Sequence, residues 1–329
     1  MPATQNRRMV AVILLIPLVV MVALWAFAWP AARLAPRDLP VAIAGSAPAA
    51  DRLQQQLEQR DGAFEVHRYA SEDEARHAIE NRSVYGAVVA SSQGARLLTA
   101  SAASPAVAQL LREAITAQAP DGARTQVTDV VAAPDTDPRG SVLGASFLPL
   151  AIAGVLSGSA VTLLRLRGGR AALTLIGVAV TAGLGATALT ADWLGVITGN
   201  WWAEAGTLGL TVLAIGGTVA GLAALVGPPG IGAGAVLMVL LGNPFSGVTS
   251  APELLPGPVG AIGRLMPPGA GGSLLRSVAF FDGSGAAAPL LTLVLWAAVG
   301  LGAVLIGGRR RTRPPVVPPA RTREPALAG

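Results

Sequence analysis

Cysteine and lysine are both absent from this sequence, and histidine occurs only twice, at His67 and His77. Without cysteine there is no disulfide, no thiolate metal site and no thiol nucleophile, so any part that faces water must be held by its own core. Neither histidine sits at a metal-ligand spacing, and neither a G-x-S-x-G elbow nor a Walker motif occurs. Both histidines read as polar surface residues of a strand and a helix. Charge is also scarce, 13% of residues against 52% hydrophobic. Long blocks carry none at all, which a water-soluble chain of this size does not sustain. An enzyme is therefore not expected, nor any cofactor or metal.

What is present is arginine, which supplies all 24 basic residues of a chain with net charge +5. The arginines flank apolar runs instead of forming a basic face, which argues against a nucleic-acid partner. With the high Ala, Gly and Pro content, they suggest a high-GC bacterial genome.

A crossing of the hydrocarbon core takes about 20 apolar residues. Val10 to Trp29 supplies the first, after Arg7 and Arg8. Ala26-Phe27-Ala28 has the small-x-small form of a signal-peptide cleavage site, but the run is long for a signal peptide and more spans follow, so retention is expected. Gly140 to Leu164 and Ala171 to Ala191 predict the second and third, joined by a turn holding Arg165, Arg167 and Arg170. No charge occurs between Ala205 and Pro252, and Gly227-Pro228-Pro229-Gly230 divides that stretch into spans four and five. Gly285 to Gly308 predicts the sixth, followed by Arg309, Arg310 and Arg311. Cytoplasmic flanks are enriched in arginine, so both termini are expected in the cytoplasm of a bacterial cell membrane. The spans show no ionisable residue in their interiors, which disfavours ion-coupled transport.

Residues 38–138 differ in character, with 14 acidic residues and 8 arginines. Leu39 to Ala44 reads as a strand, and Leu53 with Leu57 as one face of a helix. Phe64 and Val66 alternate with Glu65 and His67 as in a strand. Ser71 with Glu74 predicts a capping box opening the next helix, whose acidic first turn, Glu72 to Glu74, suits the helix dipole. Tyr85 to Ala90 and Arg96 to Thr99 read as a hairpin around Ser92-Gln93-Gly94. Val107, Leu110, Leu111, Ala114 and Ile115 form a helical stripe, and Thr125 to Val131 a last strand. The order suggests helices packed on a mixed sheet.

The fold class expected is thus an α-helical polytopic membrane protein of about six spans, with a small α/β extracytoplasmic domain between the first two. Its divisions are 1–30, the N-terminus and first span; 31–139, the external domain; 140–308, a five-helix membrane domain; and 309–329, a disordered Arg/Pro-rich tail. Gly154 with Gly158, Gly217 with Gly221, and the Gly230 to Gly234 run read as helix-packing features.

Residues 243–284 stand out. Gly242-Asn243-Pro244-Phe245-Ser246-Gly247 closes the fifth span, and Pro252, Pro256, Pro267 and Pro268 follow among apolar residues. Such a density of helix breakers beside the membrane predicts short helices folded back at the outer face. Glu253 and Arg276 either pair across that fold or both face solvent.

Ser246-Gly247, then Pro252-Glu253-Leu254-Leu255-Pro256, then the Pro267 turn and Arg276 before the last span, resemble the end of YhgE/Pip-like (phage infection protein) membrane proteins. Ser83-Val84-Tyr85-Gly86-Ala87-Val88-Val89 resembles a strand of their external domain. The resemblance implies a relation to the membrane domain of type-2 ABC exporters and a separate ATPase as partner, beside the lipid bilayer and a second copy of the chain. Two features depart from those exporters: a flank of about nine residues before the first span, and a turn, Arg165 to Arg170, with no room for a coupling helix. Two functions stay open: a permease-like subunit exporting a hydrophobic compound, and a non-transporting envelope protein whose external domain binds a partner. In either case Arg165, Arg167, Arg170, Arg309, Arg310 and Arg311 set topology or meet a cytoplasmic partner.

Overall fold

The structure, a computed structural model, describes residues 2–45, 47–59, 62–91, 94–117 and 126–310. Arg311 and the Arg/Pro-rich tail lie outside these residues. Helix α1 (Pro2–Ala31) opens on a polar turn that ends in Arg7 and Arg8, and its Met9–Ala31 part is apolar on every side and long enough to cross a membrane. Near its end Trp25 and Trp29 stack at 5.5 Å, and the Arg33 guanidinium lies 5.5 Å from the Trp29 ring. Such an aromatic pair beside a cation suits the headgroup level.

The next elements are β1 (Leu39–Gly45), α2 (Ala47–Glu58), β2 (Phe64–Tyr69), α3 (Glu72–Glu80), β3 (Gly86–Ser91), β4 (Gly94–Thr99), α4 (Pro105–Thr116) and β5 (Gln126–Asp129). The strands form one sheet in the order β2-β1-β3-β4-β5, parallel except for the antiparallel β3–β4 hairpin. Alternation along the strands serves both faces. Ala42, Ala44, Ala87, Val89 and Leu98 pack against Ala75, Ala78 and Ile79 of α3. Val41, Val88 and Leu97 pack against Val107 and Leu111 of α4 on the other face.

Local chemistry fixes the boundaries. The Ser71 hydroxyl accepts from the Glu74 amide at 3.2 Å, and Glu74 accepts in return from the Ala70 amide at 2.9 Å, one residue earlier than a regular capping box. Glu72 of the acidic first turn reaches Arg96 on β4 at 3.0 Å. Strand β5 is shorter than the alternation predicts. Val130 and Val131 leave the ladder and pack on the α3-side core instead.

The remaining helices form the bundle: α5 (Ser141–Leu163), α6 (Gly168–Thr187), α7 (Trp201–Val226), α8 (Pro229–Ala235), α9 (Asn243–Phe245), α10 (Val259–Arg264), α11 (Pro267–Phe280) and α12 (Ala287–Arg310). Wider π-helical turns extend α6 through Ala188–Trp193 and join α8 to α9 through Val236–Gly242. Asp137 starts the bundle. Its buried carboxylate accepts from the amides of Ser141, Val142 and Leu143 at 2.8–3.0 Å, satisfying orphan donors of the first turn of α5.

Among the described residues five helices are long and apolar enough to cross a membrane: Met9–Ala31, Ser141–Leu163, Gly168–Trp193, Trp201–Val226 and Ala287–Gly307. The segment read as span five, Pro229–Phe245, is a shorter apolar helix. It covers only the second half of α7, with Gly230 against Leu222 and Gly234 against Val219. Helix α11 covers the first half, where Gly271 lies against Thr211 and Leu275 shares a core with Leu208.

Helix α7 is the hub, flanked by α5, α6, α11 and α12. Small residues let backbones meet there. A Cβ on Gly154 would come within 2.7 Å of Ile215, and one on Gly158 within 2.6 Å of the Gly216 carbonyl. Thr207, Thr211 and Thr218, all buried, return their hydroxyls to the carbonyls four residues back at 2.7–2.8 Å.

Candidate functional site

Where the sheet meets the bundle, the segment from Ser246 to Arg276 is folded into the contact. Gly247 has φ +66°, a conformation that glycine adopts without strain, and a Cβ there would lie 2.6 Å from the Pro252 nitrogen. The buried Ser246 donates its hydroxyl to the Asn243 carbonyl at 2.6 Å and accepts from the Val248 amide at 3.2 Å. Pro252 opens a 3-10 turn, Pro252–Leu254, and Pro256 accepts from the Val259 amide at 2.8 Å. Pro267 is the buried first residue of α11.

Glu253 is the centre of this contact. One carboxylate oxygen accepts from the Tyr85 hydroxyl at 2.8 Å and the other from Arg264 at 3.2 Å. Its backbone carbonyl accepts from the Arg37 amide at 2.9 Å, while the Leu254 carbonyl accepts from the Ala35 amide and the Arg37 guanidinium. Ala251 and Leu254 enter the α4-side core of the sheet, and Phe281 enters the α3-side core. The sheet therefore borrows part of both its cores from chain more than a hundred residues downstream.

Arg276 does not pair with Glu253. Its buried guanidinium donates to the Val248 carbonyl, while Glu253 takes Tyr85 and Arg264. The reason is geometric: Arg276 lies on the face of α11 turned into the fold, next to Val248, and Glu253 sits on the turn facing the sheet. Arg82, from the loop after α3, donates to the Ser273 carbonyl at 2.8 Å and to the Ser277 hydroxyl, and lies 5.3 Å from the Phe281 ring. Burial lowers the pKa of Arg82, with Tyr85 and Glu253 opposing, and burial followed by the Glu253 charge raises that of Tyr85 above the ordinary tyrosine value.

Sequence reading did not single out Arg82 or the Tyr85 hydroxyl as contacts. Arg82 has φ +59° directly after a helix end, a place where an arginine is unusual, but nothing in the chain names Ser277 as its acceptor. Glu204 was also missed, because the uncharged run starts one residue after it. The helix starts earlier, at Trp201, so this carboxylate lies in its first turn, fully buried. One oxygen accepts from the Gly199 amide at 2.8 Å, and the other has no hydrogen-bond partner among the described residues.

At the opposite end of the bundle, Arg165 and Arg167 line a cavity of about 310 Å³ together with Gly227, Pro228 and Gly307. Arg170 lies outside it, exposed on α6. Arg309 and Arg310 end α12, just beyond the cavity wall.

With this geometry the comparison with known families can be placed. Residues 7–136 match the family described as ABC-2 family transporter protein. The match covers α1 and the whole sheet with its helices, including Ser83 to Val89, and ends before α5. The match covers less than half of the chain and supports a relation to the membrane domains of type-2 ABC exporters, and the five long apolar helices make the chain a multi-pass membrane protein. No curated protein and no solved structure matches. Among the described residues no group of three or more His, Cys, Asp or Glu is arranged to hold a metal ion.

Proposed function

We propose that this chain is the membrane subunit of an export system for a hydrophobic compound, with the α/β unit outside the cell and a separate ATPase at the cytoplasmic end. The observation that carries this reading is the family match over residues 7–136. The likeness of Ser246 to Arg276 to YhgE/Pip-like proteins is the finer part of the same proposal. In it, residues 31–139 form the extracytoplasmic domain, 140–308 the membrane domain with an outer-face segment at 243–284, and 309–329 a cytoplasmic tail.

Arginine placement supports the orientation. Arg7 and Arg8, the Arg165 to Arg170 turn, and Arg309 to Arg311 then share the side where basic residues are retained. The cavity framed by Arg165, Arg167 and Gly227 gives a docking ATPase a concave surface at that side. Movement there would reach the α/β unit through α7 and α11, since Ser273 and Ser277 on α11 hold Arg82. Helix α1 turns its apolar side chains outward along almost its whole length, which supports lipid or a second copy as its neighbour.

A second reading, a non-transporting envelope protein that binds a partner through the α/β unit, is favoured by one observation. The link between α5 and α6 is only Leu164 to Arg167 and holds no helix for an ATPase to push. Purification of the tagged chain from its native membrane separates the two. Co-purification of an ATPase, weakened when Arg165, Arg167 and Arg170 are all changed to Ala in a correctly inserted protein, supports the export reading. Purification with an envelope protein and no ATPase overturns it.

A further inference from the structure

Near the sheet-bearing end, α5 and α6 enclose a cavity of about 290 Å³. Pro149 and Leu189 stand at its mouth, both turned outward, and Leu150, Ile197, Leu208 and Leu275 form a buried floor. Both walls are irregular at this level. Pro149 has no amide to complete the helix ladder of α5, and the π-helical turn Ala188–Trp193 carries an extra residue in α6. At this level the two interruptions keep the side chains of α5 and α6 from interlocking.

The chemistry of the lining selects its occupant. Its only hydroxyls are Ser146 and Thr190, and each is committed to its own helix, donating to Val142 and Ala186 at 2.8 Å. A polar group would lose its hydration there with no side-chain donor in return. A cavity without polar partners does not hold water well either. An apolar chain coming from lipid leaves no polar group unpaired there and restores the dispersion contacts that the lining atoms lack across an empty gap. The volume lies just below the range for small-molecule pockets, about 300–1,000 Å³, which suits one slender chain and not a headgroup or fused rings.

We propose that this slot takes a single hydrocarbon chain, entering sideways from the bilayer. The inference rests on the export reading only in requiring a membrane around α5 and α6. The floor residue Leu275 precedes Arg276 on the helix that holds Arg82, so the slot and the anchor of the α/β unit share one element.

The test uses the full chain reconstituted in phospholipid vesicles with two photoactivatable probes. One is a phospholipid with a diazirine in its acyl chain, the other a diazirine-bearing long-chain alkane without a headgroup. Cross-links are expected to concentrate on residues 143–153 and 186–197 over residues 290–299 of α12. Ala153→Phe and Ala186→Phe, which fill the slot from opposite walls, should cut that labelling by roughly tenfold. Leu156→Phe, outside the slot on the exposed face of α5, should leave it unchanged. If a phenylalanine variant is not monodisperse, Ala153→Leu is read in the same way. Labelling by the phospholipid probe identifies membrane lipid as the source of the chain, and labelling by the alkane alone identifies a separate hydrophobic compound. Even labelling of α5, α6 and α12, untouched by the filling variants, means annular lipid only and overturns the proposal. A labelled slot in a protein with no ATPase partner would remove the export reading and leave the slot standing.

Discussion

The hydroxyl of Tyr85 donates to the carboxylate of Glu253 at 2.8 Å across 168 residues of chain. The bond ties the residue before β3 to the turn that follows α9, at a point where both partners are partly buried: Tyr85 is half-buried and the Glu253 side chain is 14% exposed. Arg264 on the other carboxylate oxygen is itself more than half exposed and contributes little alone. The tyrosine bond and the backbone hydrogen bonds from Ala35 to Leu254 and from Arg37 to Glu253 are the stronger part of the contact.

Tyr85→Phe should therefore loosen the docking of the sheet on the bundle by about 1.5–3 kcal/mol, the range for a hydrogen bond to a charged group. Hydrogen exchange would read this as faster exchange across Val84 to Ala90 and around Leu254. Unchanged exchange at both places would show that the hydroxyl contributes nothing.

The raised pKa of Tyr85 makes the same contact sensitive to alkali. Below the ordinary tyrosine value, about 10, the group is neutral in both the docked and the unfolded chain. As the pH rises past that value the unfolded chain loses the proton first and so binds fewer protons, and stability falls with rising pH. The phenolate absorbance that distinguishes wild type from Tyr85→Phe should emerge only above the usual tyrosine range, together with loss of docking. Emergence at the ordinary value, with docking intact, would contradict the buried bond.

Glu204 holds the Gly199 amide at the mouth of α7. Glu204→Gln keeps an acceptor and should be tolerated, whereas Glu204→Leu leaves that amide without its partner at a cost of about 1–3 kcal/mol. Thermal unfolding in detergent distinguishes the pair, and equal midpoints for the two variants would deny the carboxylate a positioning role.

Close backbone packing on α7 predicts a contrast between two glycines. Gly154→Ala drives a methyl to 2.7 Å from Ile215 and should destabilise by about 1–3 kcal/mol. Gly177→Ala on α6 meets nothing within 4 Å and should be neutral or stabilising by up to about 1 kcal/mol. Monodisperse yield after mild heating ranks the two, and the reverse order would refute the packing argument.

The chain has no cysteine, so orientation can be read from single introduced thiols. Glu65→Cys on the exposed side of β2 should react with an impermeant reagent in intact cells, and Gly169→Cys at the start of α6 should not. Reaction at Gly169 alone would invert the proposed topology.

The sequence by itself determined the elements whose signals are local. Uncharged runs bounded by charged residues mark α1, α5, α6, α7 and α12, because a bilayer crossing depends on length and apolarity alone. Alternation at Phe64 to His67 and the Ser71–Glu74 cap mark elements of the sheet, because each is written within a few residues. Only the tertiary structure decided that Arg276 faces Val248 while Glu253 takes Tyr85 and Arg264, that Pro229–Phe245 stops short and α11 lies along the rest of α7, and that Glu204 is buried. These depend on which surfaces meet after folding. A charge carries no mark of its distant partner, and a glycine does not reveal which backbone it lets approach. The sheet completes its cores with Leu254 and Phe281 because docking removes their apolar surface from water, and that gain exists only once both regions have folded.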